Sequence, residues 1–215
     1  MKALRKVAAA VGRFISFLFE DIWPPLVDTS PRLAEDTIPI DKKGKPDLSF
    51  YTEPVTHYID LYNASLAAGS TREQQALGWK QRVHGTWGLS VKGQEALPFI
   101  LTLIRHPNPD AREDGYFLLA ELKGDSDTGE RLVECLQSES DLVARSSLIS
   151  ALGKCRYRPA IPALRTLILD SETDVDTRWD AADSLGSIVG VDFCGPDKLA
   201  KAEAWLASHE QRRDA

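Results

Sequence analysis

The chain contains 215 residues, 43% of them hydrophobic, and carries a formal net charge of −6. A folded region of ~150 residues buries roughly 70% of the surface of its unfolded chain, and this composition is sufficient for such a core, which excludes a wholly disordered protein. The negative charge argues against a general nucleic-acid-binding protein, whose affinity depends on Lys and Arg side chains that neutralise phosphates.

The first 23 residues are predicted to form a basic, amphipathic helix. Apolar residues at spacings of three and four lie on one side, and basic residues lie on the other. Arg13 interrupts the apolar run, so the segment is too short to span a bilayer, which takes ~20 apolar residues, and a signal peptide fits poorly. Two interpretations stay open: the apolar side docks on the rest of the chain or a partner, or it lies on an anionic membrane. The side chains that would make this contact are Phe14, Phe17, Leu18 and Trp23.

Residues 24–53 are predicted to form an extended linker or a strap across the surface. Prolines recur at short intervals, which leaves no room for a full helix, and no strand-like alternation is sustained. These prolines are Pro24, Pro25, Pro31, Pro39 and Pro46. A helical region is predicted over 54–215.

A repeated pattern runs through this helical region. Arg112, Arg145 and Arg178 are spaced by 33 residues, and each is followed by apolar or small residues at +3, +4 and +7 and by a small residue at +8. After Arg145, for example, the last two positions hold Leu152 and Gly153. The +3, +4 and +7 spacing places these residues on one face of an α-helix, and the small residue at +8 permits close approach of a neighbouring helix. Internal similarity at this period indicates a solenoid.

The helices that precede the arginine-bearing helices also repeat. Segment 96–104 reads ALPFILTLI, and segment 160–168, 64 residues later, reads AIPALRTLI. Pro98 and Pro162 stand where a first-turn proline loses no hydrogen bond. Each unit is therefore predicted to contain a first helix, a short turn and a second helix that carries the arginine.

The pattern Ala-x-Pro-x-Leu-x-x-Leu, followed by an aspartate, an arginine and Ala-Leu-Gly, resembles the HEAT repeats of the phycobilisome-lyase-like group. The resemblance implies an all-α fold, a short right-handed α-solenoid of about four helix pairs. Three regular repeats would cover 95–190, after a divergent first pair at 54–90. A capping helix at 196–210 would close the end, because terminal units of solenoids are atypical. Such repeats serve many functions, so the resemblance implies little about activity.

Aspartates near the start of each second helix are predicted to be structural. Asp110, Asp141 and Asp174 are good N-cap residues, and Asp110 and Glu113 are spaced as a capping box. In the HEAT repeats that this sequence resembles, the acidic residue and the arginine pair along the stack. The resemblance therefore assigns to the structural framework Asp110, Arg112, Asp141, Arg145, Asp174 and Arg178.

The predicted binding surface lies on the second helices. In HEAT-like stacks these helices line the concave side, and positions +2, +5 and +9 lie opposite the core-facing positions. Acidic residues outnumber basic ones by 17 to 9 over 110–192, so this surface is expected to attract a basic protein or peptide. The alternative is a solvated negative face with no partner. The candidate partner-binding residues are Asp114, Phe117, Glu121, Trp179, Asp180 and Asp183.

No metal, cofactor or catalytic site is predicted. Cys135, Cys155 and Cys194 form no Cys-x-x-Cys motif and are interpreted as reduced thiols. The acidic alternation over 170–176 lacks the glycine and the glutamate of a calcium-binding loop, and the four histidines share no ligand spacing. The sequence contains no nucleophile elbow, P-loop or dinucleotide fingerprint.

These observations favour a cytoplasmic, non-catalytic adaptor or scaffold that binds a protein partner, with membrane-peripheral contact through residues 1–23 as an open addition. A second hypothesis is an inhibitory protein, such as a toxin-neutralising immunity protein, which would bind one enzyme tightly and abolish its activity. A third, a HEAT-like DNA-modifying enzyme, is disfavoured by the acidic charge.

We expect Arg145→Ala to lower the melting temperature of the protein more than it weakens the binding of any partner, because Arg145 is assigned to contacts between repeats. Each kcal/mol of lost stability should lower the midpoint by about 2–4 °C for a chain of this size. Thermal unfolding followed by circular dichroism measures the effect, and an unchanged melting temperature would contradict the framework role.

Overall fold

All regular secondary structure in the described part of the chain is helical. A computed structural model describes residues 47–122 and 126–210, and these contain no β-strand. No helix within these residues is both long and apolar enough to cross a membrane. The predicted amphipathic helix at 1–23, with Phe14, Phe17, Leu18 and Trp23, lies outside the described residues, as does most of the predicted linker.

The α-helices follow one another along the chain with short connections. They are α1 (Val55–Leu66), α2 (Arg72–Lys92), α3 (Leu97–Leu103), α4 (Pro109–Glu121), α5 (Ser126–Leu136), α6 (Leu142–Cys155), α7 (Ile161–Leu169), α8 (Val175–Val189) and α9 (Lys198–Glu210). Short 3-10 turns at Leu48–Phe50, Gly93–Ala96 and Arg158–Ala160 precede α1, α3 and α7. The final helix falls where the sequence predicts a capping helix.

The helices pack in sequential pairs. Helices α1, α3, α5 and α7 each contact the helix that follows in the chain, and α2, α4, α6 and α8 contact one another in that order. Helix α9 packs against α7 and α8. The end of the predicted strap also joins this core, because the Tyr51 side chain is buried and its ring lies 5.8 Å from that of Tyr58 in α1.

Polar side chains mark where most of the longer helices begin. Thr71 accepts a hydrogen bond from the backbone of Gln74 and Gln74 returns one, which makes a capping box at the start of α2. Asp141 caps α6 and Asp174 caps α8, each by accepting backbone N–H groups of the first turn. These two aspartates occupy the N-cap positions that the sequence predicts.

The prediction for Asp110 is wrong. Helix α4 begins two residues earlier, where Asn108 is the N-cap and its side chain accepts a hydrogen bond from the backbone N–H of Asp110. Pro109 then takes the first helical position, where its missing N–H costs nothing. Asp110 therefore lies within the first turn, and no capping box joins it to Glu113. Asn108 precedes Arg112 by four residues, as Asp141 precedes Arg145, so the correct cap is visible in the repeat register.

Gly153 shows why a small residue follows the repeated leucine. A Cβ atom at Gly153 would lie 2.9 Å from the Cα of Ser184 in α8, so only glycine permits this approach of α6 to α8. The Ser184 hydroxyl, which is buried, donates to the carbonyl of Ile149 across the same contact at 2.7 Å. The backbones of the two helices are therefore held at close range along this seam.

The three repeated arginines have different partners. Arg112 donates two hydrogen bonds of 2.8 Å to Glu139, whose carboxylate also accepts from the Tyr116 hydroxyl. Arg178 donates to the carbonyl of Ile168 and to Glu203 of α9. The direct acidic partners are thus glutamates, and not the cap aspartates that the framework prediction pairs with these arginines.

Arg145 differs from both. Its Nε atom is buried and has no hydrogen-bond partner among the described residues. Hydrogen bonds from Thr177 lower the pKa of Asp174, and the positive charge of Arg145 adds to that effect. Arg145 is thus electrostatically coupled to the cap of the next long helix and makes no direct ion pair with it.

We expect Glu139→Gln to lower the free energy of unfolding by an amount on the order of 3 kcal/mol, because it leaves the guanidinium of Arg112 without its opposite charge. The Glu139 side chain is only 1% exposed. Urea unfolding at neutral pH measures the effect. The matched control is Glu172→Gln, an exposed glutamate 33 residues later, which should change stability by less than ~0.5 kcal/mol. Equal midpoints for the two variants would contradict this assignment.

The same carboxylate should make stability depend on pH. The pKa of Glu139 is lowered to about 2, chiefly by the hydrogen bonds from Arg112. A carboxyl with a lowered folded pKa stabilises the protein above its unfolded pKa, and that contribution is lost as the pH falls toward the folded pKa. We expect the stability difference between the wild type and Glu139→Gln to shrink from about pH 5 to about pH 2.5. Urea unfolding across this range measures it, and a constant difference would refute the linkage.

Candidate partner-binding face

The candidate site is the outward side of α4, α6 and α8, which we call the long-helix face. It carries the predicted binding residues Asp114, Phe117 and Glu121 of α4, and Trp179, Asp180 and Asp183 of α8. Ser147, Ser150 and Lys154 of α6 lie between them. These positions are half-buried or exposed and alternate with the fully buried core positions of the same helices.

Asp114 is held by the first helix pair. Its carboxylate accepts hydrogen bonds from the Tyr62 hydroxyl at 2.6 Å and from Nε of Arg82 at 2.5 Å, and its side chain is 16% exposed. Burial, together with the negative charge of Asp114, raises the pKa of the Tyr62 hydroxyl, which therefore remains a donor. The Asp114 carboxylate thus ties α4 to α1 and α2, and little of it faces solvent.

Arg82 also forms ion pairs with two further carboxylates. Its guanidinium lies 3.5 Å from Asp110 and 3.7 Å from Glu113, and it also donates to the Asp110 carbonyl. Burial raises the pKa of Glu113, the charge of Arg82 opposes that shift, and Ser147 of α6 donates a hydrogen bond to the same carboxylate. One cation therefore faces three carboxylates at this end of the face.

Phe117 and Glu121 take part in a mixed aromatic and ionic cluster. The ring of Phe117 packs edge-on against Trp87 of α2, with 6.0 Å between ring centroids. Nζ of Lys154 lies 4.7 Å from the centroid of Phe117 and 3.5 Å from Oε1 of Glu121. This cluster joins α2, α4 and α6 and partly neutralises the middle of the face.

The third group surrounds Trp179. Nζ of Lys198 lies 2.6 Å from Oδ2 of Asp183 and 5.2 Å from the Trp179 ring centroid. Ser146 donates a hydrogen bond of 2.5 Å to Asp180. Burial raises the pKa of Asp180, and the nearby negative charge of Asp183 raises it further, whereas Ser146 and Lys198 oppose the shift.

All six predicted binding residues therefore have partners within the chain. The partners that the sequence reasoning missed include Arg82, Ser146 and Lys198, which come from α2, α6 and α9, and the aromatic residues Tyr62 and Trp87. Two of them were accessible from the repeat period, because Arg82 precedes Asp114 by 32 residues and Ser146 precedes Asp180 by 34. Lys198 lies after the last repeat, so the repeat spacing does not predict its contact with Asp183.

Part of the face stays open to solvent. Side-chain exposure is 64% for Asp110 and 54% for Asp183, and Trp179 is 39% exposed. The Lys198 side chain, by contrast, is 16% exposed, much less than that of its acidic partner Asp183. The accessible surface of α8 therefore presents the Asp183 carboxylate and the Trp179 indole, whereas Lys198, the cation that pairs with Asp183, is mostly buried.

The described residues contain no cluster of three potential metal ligands. At the acidic turn over 170–176, Asp170 accepts hydrogen bonds from the backbone of Glu172 and the hydroxyl of Thr173, which satisfies it locally. The three cysteines are free thiols. Burial raises the pKa of Cys135 and of Cys155, which favours the protonated form.

A comparison with family models, curated proteins and solved structures finds no match to this chain. The HEAT resemblance therefore stays a prediction. What the protein does is inferred from its own residues and their contacts.

Proposed function

We propose that this protein is a non-catalytic interaction module whose helix pairs form a short, right-handed HEAT-type solenoid, and that it binds a basic protein or peptide through the long-helix face. Sequential packing of α2, α4, α6 and α8 supports the solenoid, as does the 33-residue spacing of Arg112, Arg145 and Arg178. Under this proposal the long helices line one continuous surface, on which a peptide could contact several units at once.

The observation that carries the binding proposal is the group around Trp179. The negative charge of Asp183 adds to the burial that disfavours ionisation of Asp180, and Lys198 is the cation beside them. A partner's Lys or Arg placed here would relieve repulsion between the two carboxylates. Complementary charge of this kind also accelerates encounter and discriminates against acidic partners.

The exposed indole gives this group a second means of recognition. Lys198 already lies within cation–π range of the Trp179 ring, and the ring is 39% exposed. An arginine from a partner could stack on the exposed part of the ring while its N–H groups reach the Asp183 carboxylate. Trp and Arg are also the residue types that most often dominate binding energy at protein interfaces.

We expect the double variant Asp180→Lys/Asp183→Lys to lower recovery of the principal basic partner at least tenfold, because it replaces two acidic side chains with two cations. A tenfold loss of affinity corresponds to about 1.4 kcal/mol of binding free energy. The measurement is affinity purification from native lysate with cross-linking and quantitative mass spectrometry. The matched control is Asp60→Lys/Glu130→Lys, which makes the same charge change at exposed acidic residues of α1 and α5.

Undiminished recovery with the Asp180/Asp183 variant, or equal loss with both variants, would contradict the long-helix face as the binding surface. Circular dichroism melting of each variant separates loss of binding from loss of fold. If the captured partner is an enzyme, adding purified protein at equimolar amounts tests the inhibitory alternative, since an inhibitor should abolish that activity.

A further inference from the structure

A cleft opens on the opposite side of α4 from the long-helix face. It lies between the turn that follows α3, the first half of α4, and α5 with the turn that follows it, and its volume is about 530 Å³. We call it the arginine cleft, because Arg105, Arg112 and Arg131 line it. On α4, Arg112 and Tyr116 point to this cleft, whereas Asp114 and Phe117 belong to the long-helix face, as expected for helical positions two or three residues apart.

The floor of the cleft is electrically balanced. Glu139 accepts two hydrogen bonds from Arg112, one from Tyr116 and one from the backbone N–H of Asp141. Arg112 also donates to the carbonyls of His106 and Pro107. This network satisfies the charges of both Arg112 and Glu139, so it gives the cleft a rigid base and adds little net field.

The remaining arginines of the cleft are not balanced in this way. Among the described residues, no carboxylate lies within ion-pair distance of Arg105 or Arg131, although both line the same cavity. Glu134 is the other acidic residue of the lining, and it is exposed and forms no ion pair with either arginine. The cleft therefore carries a net positive charge in a chain whose net charge is −6.

His106 adds a further hydrogen-bond donor to this lining. Its Nδ1 atom accepts a hydrogen bond of 3.1 Å from the backbone N–H of Asn108. With Nδ1 acting as the acceptor, the proton of the neutral ring lies on Nε2, which can then donate to a ligand. Two guanidinium groups and this N–H supply the donors that an oxyanion needs.

We propose that the arginine cleft binds the phosphate or carboxylate group of a small anionic ligand. Arginine side chains bind such groups by paired, charge-assisted hydrogen bonds, which are stronger than neutral ones. The cavity falls within the roughly 300–1,000 Å³ typical of small-molecule sites. It therefore has room for an organic group attached to the anion, which would pack beside Ile104 and Pro107. This site is separate from the proposed protein-binding face, so either proposal can fail alone.

The test is isothermal titration calorimetry of the full chain with inorganic phosphate and, separately, with acetate, at constant ionic strength set with sodium chloride. We expect saturable binding of at least one oxyanion. Arg105→Gln/Arg131→Gln should weaken that binding at least tenfold, because it removes both unbalanced charges. The matched control is Arg72→Gln/Arg158→Gln, which replaces two exposed arginines outside the cleft. It should change the affinity less than twofold.

Glu134→Gln supplies a test of opposite sign, since removal of the negative charge at the rim should tighten binding. Tighter binding of phosphate than of acetate would assign a phosphate ligand, and the reverse order a carboxylate ligand. The proposal is overturned if neither anion gives saturable heat, or if Arg105→Gln/Arg131→Gln binds as the wild type does. Neither arginine has an ion-pair partner, so the melting temperature of that variant should stay at the wild-type value.

Discussion

The packing of consecutive long helices places residues about one repeat apart side by side, and the polar contacts between these helices follow from this constraint. Arg82 meets Asp114 after 32 residues, Lys154 meets Glu121 after 33, and Ser146 meets Asp180 after 34. Where α6 meets Ser184 of α8, Gly153 lacks the Cβ atom that would separate the two helices. These three pairs therefore join charged or polar residues on the outward side of one long helix to the next long helix.

Helix α4 shows how one element can serve two surfaces of different charge. On one side, Asp114 and Glu113 share Arg82, and carboxylates outnumber cations. On the other, Arg112 is matched by Glu139, which leaves Arg105 and Arg131 to determine the sign of the cleft. Because the Arg112–Glu139 pair is nearly buried, it is screened little by solvent and anchors α4 to the turn before α6. Arg112, Tyr116 and Glu139 thus form a hydrogen-bonded floor of the cleft on the side of α4 away from Asp114.

The all-helical fold and the starts of α6 and α8 could be predicted, because they depend on local spacing and on capping residues. The cap of α4 was missed although Asn108 stands in register, since the nearby Asp110 is the more usual repeat residue. Glu139 could not be found from the repeat, because the corresponding position before α4 holds His106 and the one before α8 holds an exposed glutamate. The role of Lys198 depends on the docking of α9, a tertiary contact that no spacing encodes.

Asp180 bears on whether the acidic face is only a solvated surface. Burial and the charges of Asp183 and Asp176 raise its pKa, so the folded protein holds its proton more tightly than the unfolded chain does. Ionisation of Asp180 at neutral pH therefore opposes folding, and stability from this group would rise as the pH falls. A merely soluble face needs exposed charge, not a half-buried carboxylate beside another one. The hydrogen bond from Ser146 offsets only part of this cost, and a local conflict of this kind is one that proteins retain at functional sites. A cation from a partner would remove the conflict, which favours the long-helix face as a binding surface.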